Sequence, residues 1–138
     1  MAKSLKVVFL GGVGEIGKNM TALEYGENII IIDIGMSFPT EDTPGIDVVV
    51  PDVTYLSQNK EKIKGIFITH GHEDHVGGVS YLWPELGCPT IYGTPFSLAI
   101  ARHKIEESGL PVKNMKEVNA GDVVGVDCFK VEFIKVCH

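Results

Sequence analysis

The stretch His70-Gly71-His72-Glu73-Asp74-His75 places four good metal ligands, His70, His72, Asp74 and His75, within six residues. Imidazole nitrogen suits zinc, manganese and iron, and a carboxylate adds charge and hardness. Three of the five histidines in the chain fall here, a concentration that a merely solvated polar loop has no reason to show. The residues just before, Gly65-Ile66-Phe67-Ile68-Thr69, form an apolar run that reads as a buried strand. The ligands therefore sit at a strand's exit. In extended backbone, side chains alternate with period two, so His70 and His72 share one side and Gly71 leaves room between them. Asp74 and His75 come after the turn, where a new helix can aim them at a second ion. Two divalent ions about 3.5–4 Å apart are a common device for hydrolysing phosphate esters. Metal-assisted hydrolysis is thus the chemistry these residues point to. Glu73, between the ligands, reads as a loop-bracing or solvent-facing residue rather than a general acid.

To hold such a loop the chain needs a core. Its 138 residues fit one domain, and 44% hydrophobic with 22% charged residues is a globular composition. The net charge of −6 argues against a broad basic groove, so a polyanionic substrate would need bound ions or other residues to supply positive field. Cys88, Cys128 and Cys137 lack CxxC spacing and read as reduced, mostly buried thiols of a cytosolic protein. Cys137 beside His138 reads as a strand-core thiol before it reads as a ligand. No secretory signal is apparent: the apolar stretch near the start is interrupted by Gly11-Gly12, and no small-residue cleavage site follows. The run Ile29 to Ile32 is too short to span a bilayer.

The elements that position the loop are mixed. Strands are expected at Leu5–Leu10, Lys18–Tyr25 and Ile29–Ile32, the last fully buried and ending at Asp33. Residues 35–53, with Pro39, Pro44, Pro51, Glu41, Asp42 and Asp47, form a long irregular connection of the kind that often carries function. A short helix is expected from Tyr55 to Ile63, with Lys60, Glu61, Lys62 and Lys64 on its solvated side. After the hexapeptide, Val76–Leu86 reads as one helix with Val76, Val79 and Trp83 in the core. Pro89–Tyr92 is a strand, and Thr94-Pro95 is an N-cap followed by proline at the first helical position, opening a helix that runs to about Ser108 and stops at Gly109. His103, inside it, reads as a surface residue. Strands follow at Lys116–Val118, Val123–Val126 and Cys128–Val136, the last alternating Phe129, Val131 and Phe133 against Lys130 and Glu132. Meander-like strands at both ends suggest sheet packed on sheet with helices outside, an α/β (α+β) fold.

One competing motif lies near the start. Gly12-Val13-Gly14-Glu15-Ile16-Gly17 fits G-x-G-x-x-G, and Asp33 follows about twenty residues on. That is the pattern of a dinucleotide-binding module. Only Lys18–Tyr25 is available for its helix, and the segment after Asp33 is rich in Gly, Pro and Asp instead of helical. The glycines otherwise form a tight turn whose backbone can approach the metal site or a phosphate, with Asp33 bracing the ligand loop from behind.

The hexapeptide has the form HxHxDH and resembles the metallo-β-lactamase superfamily. With Gly11-Gly12-Val13-Gly14-Glu15-Ile16-Gly17-Lys18-Asn19, Ile32-Asp33-Ile34-Gly35, Phe38-Pro39, Gly45-Ile46-Asp47, Pro51-Asp52 and Thr69 through Gly78, the chain is similar to the N-terminal part of the ribonuclease J family, of the β-CASP branch. The resemblance implies an αββα sandwich, of which residues 1–138 would be the first half, with the β-CASP and C-terminal domains absent. It implies that His70, His72 and His138 bind one zinc ion and that Asp74 and His75 bind a second. A bridging aspartate and a further histidine would lie beyond residue 138. It also implies a zinc-dependent ribonuclease of RNA decay and rRNA maturation, a 5′-to-3′ exonuclease with endonuclease action. The substrate would be single-stranded RNA with a 5′ monophosphate, the location cytoplasmic and the assembly a homodimer or homotetramer. The 138 residues alone would then be weak or inactive. The alternatives are a metallohydrolase of thioesters or lactones on the same ligands, and the dinucleotide-binding module.

Overall fold

A run of β-branched residues bounded by turn formers gives strands, and a strand apolar on both faces must be central. Both conditions are met at Ile29–Ile32. The computed structural model describes residues 3–15, 17–38, 45–46 and 48–136. In it, β1 (Leu5–Gly11), β2 (Met20–Tyr25) and β3 (Asn28–Ile32) form an antiparallel meander. Gly26, at φ 62°, supplies the left-handed residue of the tight turn between β2 and β3. From β3 the sheet becomes parallel through β4 (Ile63–Phe67), β5 (Ile91–Gly93) and β6 (Met115–Glu117), giving a six-stranded sheet in the order β1 to β6. The parallel connections carry the helices α1 (Thr54–Gln58), α2 (Glu73–Val76), α3 (Val79–Leu82) and α4 (Pro95–Glu107). A separate hairpin, β7 (Val123–Val126) and β8 (Phe129–Glu132), completes the described elements.

Period-two alternation splits the apolar residues between two cores. Ile29 and Ile31 of β3, with Ile66 and Ile68, join Leu56, Val79, Trp83, Leu98 and Ile105 beneath the helices. Ile30 and Phe67 point the other way and meet Tyr92, Val126, Phe129, Val131 and Phe133 under the hairpin. Phe67 stacks on Tyr92 with ring centroids 4.7 Å apart. The order of layers is therefore helices, sheet, then a second β layer, as sheet packed on sheet with helices outside requires. The hairpin does not reach β1, whose Leu5, Val7 and Phe9 leave an exposed apolar row on that strand.

Several elements depart from expectation. The first helix stops at Gln58, a 3-10 turn covers Lys60–Lys62, and Ile63 opens β4. Asn59 ends it: its side-chain amide donates to the Tyr55 carbonyl at 2.9 Å and its N–H to Leu56 at 3.1 Å. The single helix expected over Val76–Leu86 is broken into α2, α3 and a 3-10 turn at Pro84–Leu86. Gly77 and Gly78 cause the first break, because the Gly78 N–H donates to the Ile34 carbonyl at 2.9 Å. Pro84, which lacks an N–H, causes the second. The last strand ends at Glu132, although Phe133 still pairs with Asp122 through a 2.9 Å bond. Residues 12–15 and 17–19 lie between two antiparallel strands, and among the described residues no helix follows the glycines. The strand–helix–strand unit of a dinucleotide-binding module is absent there, so that alternative fails. Of the long connection, Ser37 and Val49 close a bridge by 2.8 and 2.9 Å bonds; Pro39, Glu41, Asp42, Pro44 and Asp47 lie outside the described residues. No helix among the described residues is long and apolar enough to cross a membrane.

Two substitutions test this packing. Trp83 is fully buried and its Nε1 donates to the Pro89 carbonyl at 2.8 Å. Trp83→Ala should cost about 3–5 kcal/mol of unfolding free energy, read from urea titration. Gly35 lies where three segments meet. A Cβ there would stand 1.8 Å from the Asp74 carbonyl oxygen and 2.7 Å from the Asn19 nitrogen, both backbone atoms. Gly35→Ala should therefore destabilise by at least about 3 kcal/mol in the same assay, although one methyl group is all that it adds.

Candidate metal centre

The hexapeptide starts three residues after Phe67, the end of β4, once backbone pairing with its neighbours has ended. α2 begins at Glu73, with His72 in extended conformation as the preceding cap. A helix of four residues is too short to be stable alone. Its place is fixed from outside: the carbonyls of Glu73, Asp74 and His75 accept the N–H groups of Met36 (3.1 Å), Asn19 (2.9 Å) and Ile34 (2.8 Å). The glycine-rich turn and the segment after β3 thus hold the backbone of the candidate ligands Asp74 and His75. The Gly35 N–H donates in turn to the Asn19 carbonyl at 2.9 Å, tying those two segments to each other.

Within that frame His70, Asp74 and His75 each offer one ligand atom, and the three atoms lie within 4.8 Å of one another. The His70 ring lies 3.9 Å from the His75 ring and 4.7 Å from the His72 ring, centroid to centroid. His72 is exposed beside this group. Gly71 makes room for α4 instead of for the two imidazoles, since a Cβ there would lie 2.6 Å from Ile100 Cδ1 and 3.2 Å from Phe96. His138 and Cys137 lie outside the described residues; of the other two thiols, expected to be buried, Cys88 is half-buried and Cys128, at the turn of the hairpin, is exposed.

Asp33 sits behind the cluster, 4% exposed, in the left-handed region at φ 64°. One carboxylate oxygen accepts the Thr69 N–H at 2.7 Å. The other accepts the Thr69 hydroxyl at 2.7 Å and faces His75 Nδ1 at 2.6 Å. A carboxylate can only accept, so Nδ1 carries the proton and Nε2 is left to face the cluster, 3.4 Å from Asp74 Oδ2. The hydrogen bond to Asp33 raises the His75 pKa above the ordinary histidine range; partial burial opposes it, and the charges of Asp33 and Asp74 add to it. Two imidazoles and a carboxylate, one imidazole backed by a second carboxylate, form a donor set that fits a divalent cation.

Asn19 is a residue that sequence reasoning left without a role. Its side-chain amide donates to the Asp74 carbonyl at 3.0 Å and to Asp74 Oδ2 at 3.1 Å, and lies 3.4 Å from His75 Nε2. Asn19 closes the glycine-rich turn, but its contacts lie 55 and 56 residues away, so only the turn's placement over the loop identifies it. Glu73 is loop-bracing: its Oε1 pairs with Lys104 Nζ of α4 at 2.7 Å. On the hairpin side, His70 and His72 form one wall of a cleft of about 630 Å³, whose other walls include Phe67, Phe96, Phe133 and Ile134.

Comparison with known proteins bears on the family and the fold. The chain is 45% identical over 138 residues to ribonuclease J of Synechocystis sp., covering 99% of this chain and 22% of that protein. It is 39% identical over 137 residues to ribonuclease J2 of Bacillus subtilis, covering 99% and 24%. Identity to ribonuclease J of Helicobacter pylori is 46% over 137 residues, covering 98% and 20%. The chain thus spans about a fifth to a quarter of the length of these curated relatives. Among solved structures, Rm3 metallo-beta-lactamase superposes with a TM-score of 0.59 at 21% identity, covering 90% of this chain and 46% of that one. The metallo-beta-lactamase SMB-1 gives 0.57 at 20% identity, covering 92% and 51%. At such identities the superpositions speak for the fold alone. The family model of the metallo-beta-lactamase superfamily matches residues 13–131, from the glycine-rich turn to β8, and on that span the chain belongs to this superfamily.

Proposed function

We propose that this chain contributes the metal-binding half of a zinc-dependent ribonuclease, whose full-length form degrades RNA from the 5′ end and also cuts internally, in RNA decay and rRNA maturation. The observation that carries the reading is the convergence of His70, Asp74 and His75 within 4.8 Å, braced by Asp33 and Asn19. That cluster supports a metal-dependent hydrolase, and the similarity to ribonuclease J supports RNA as the substrate. We assign His70 and His72, with His138, to one ion and Asp74 with His75 to a second. Zinc suits their histidine-rich donor set. Single-stranded RNA with a 5′ monophosphate, a cytoplasmic location, and homodimers or homotetramers belong to the same proposal.

When bound, divalent ions supply Lewis acidity, making water nucleophilic near neutral pH and offsetting charge on phosphate oxygens. The side chains have separate tasks around that centre. Asp33 fixes the His75 tautomer so that Nε2 faces the ligand cluster. Asn19 restrains the Asp74 carboxylate through Oδ2. Thr69, hydrogen-bonded to both Asp33 oxygens, holds the strand exit against β3. The negative net charge is then compatible with a polyanionic substrate, since the positive field required is local.

His72→Ala in the full-length protein should abolish metal-dependent cleavage of 5′-monophosphorylated RNA; wild-type rates would refute the ligand assignment. A second expectation concerns pH. His75 must give up a proton to bind an ion, and Asp33 raises its pKa. Metal occupancy should therefore fall with decreasing pH from a point above the ordinary histidine value of about 6.5. In the metal-free protein the sign is opposite. The Asp33–His75 pair stabilises the fold fully below that ordinary value, and its contribution is lost as pH rises through the raised value. Asp33→Asn can donate to Nδ1, which moves the neutral tautomer's proton to Nε2. It should weaken metal affinity at neutral pH by roughly 10–100-fold and move the occupancy midpoint downward, as measured by equilibrium dialysis across pH.

A further inference from the structure

The backbone bonds that hold α2 all come from the side of β2 and β3. On its other side lies α4, which is anchored in the core by Leu98, Ala101 and Ile105. Phe96, Ile100 and Lys104 are spaced four apart, so they form one stripe along α4. The first two lie against Gly71: a Cβ on that glycine would stand 2.6 Å from Ile100 and 3.2 Å from Phe96. The third reaches Glu73, with Nζ 2.7 Å from Oε1. The stripe thus meets the hexapeptide at two points, one before the bend and one at the start of α2.

The Lys104–Glu73 pair differs from an ordinary surface ion pair. The Lys104 side chain is only 20% exposed and Glu73 44%. Glu73 Oε2 is buried without a hydrogen-bond partner, and Gly77 packs so closely that a Cβ there would lie 2.7 Å from it. Lys104 supplies the only ion pair to this carboxylate among the described residues. Without it, a negative charge half withdrawn from water would have reason to swing outward, and Glu73 is covalently next to Asp74. The ligand-bearing turn of α2 would move with it.

We propose that Lys104 is a positioning residue for the ion held by Asp74 and His75, acting through Glu73 from a helix that supplies no ligand. The proposal rests on the metal-hydrolase reading above. It predicts a selective effect: the ion at Asp74 and His75 loosens, and the ion at His70 and His72 does not.

The test is equilibrium dialysis of the full-length protein against buffered Zn²⁺, counting ions bound per chain across free concentration, for wild type, Lys104→Met, Lys104→Arg and Glu73→Gln. A Co²⁺ titration followed by visible absorption runs in parallel as a report on ligand geometry. Lys104→Met should bind its first ion as wild type does and its second roughly 10–100-fold more weakly, with a changed spectrum for the second step only. Lys104→Arg should restore both. Glu73→Gln keeps the shape but removes the attraction; it should reproduce the selective loss and serves if Lys104→Met folds poorly. Trp83→Phe is the comparison for a purely structural loss, lowering the melting temperature without separating the two steps. Normal two-step binding in Lys104→Met or Glu73→Gln overturns the positioning role alone. A wild type that binds no Zn²⁺ or Co²⁺ overturns the metal-hydrolase reading and this proposal with it.

Discussion

The structure around the candidate centre depends on three consecutive carbonyls of α2 that accept hydrogen bonds from outside their own helix, the first of them while also taking the Gly77 N–H at 2.8 Å within it. Those of Glu73, Asp74 and His75 are taken by amides from two distant segments. A helix of four residues gains too little from internal bonding to offset its ordering. The loops at the strand ends therefore do what helix propagation cannot. Because the tie runs through backbone atoms, the requirement is not for particular side chains at positions 34–36 but for the absence of one at Gly35. Close approach of three chains is possible only where one of them carries no Cβ.

This arrangement explains which parts of the protein could be read in the sequence. Buried strands were legible because apolar alternation has a period: Ile29–Ile32 reads as central, and it is central, with its isoleucines divided between two cores. The candidate ligands were legible because residue type and local spacing point to metal chemistry, and three of them, His70, Asp74 and His75, converge within 4.8 Å. The break in the helix after His75 was hidden, since Val76, Val79 and Trp83 keep a helical period across it. What breaks the period is a hydrogen bond from Gly78 to Ile34, more than forty residues away. Asn19 and Lys104 were hidden for the same reason. Each acts on the loop across a separation that no local pattern encodes, and each has an ordinary alternative as a turn or surface residue.

The electrostatics follow from the same geometry. The cluster is not a sink of unbalanced negative charge waiting for any cation. Asp33 is committed to Thr69 and His75, Asp74 is restrained by Asn19, and Glu73 is paired with Lys104. Each acid near the ligand turn is thus tied to a specific donor. Ordering the donors in advance reduces the conformational entropy that a ligand would otherwise have to remove on binding. It also lets one exposed histidine, His72, sit beside a rigid group without loosening it.

Asp33 has one more consequence. It is a buried polar residue held at φ 64°, a conformation that favours glycine, and that choice stores about 1 kcal/mol or more of backbone strain. A search for hardier variants of this protein would be drawn to the position, because relaxing the backbone there looks like free stability. The carboxylate that would be lost is the one orienting His75. Robustness and reactivity compete at that residue, so a population selected for heat tolerance alone would drift away from the chemistry the fold was shaped to hold.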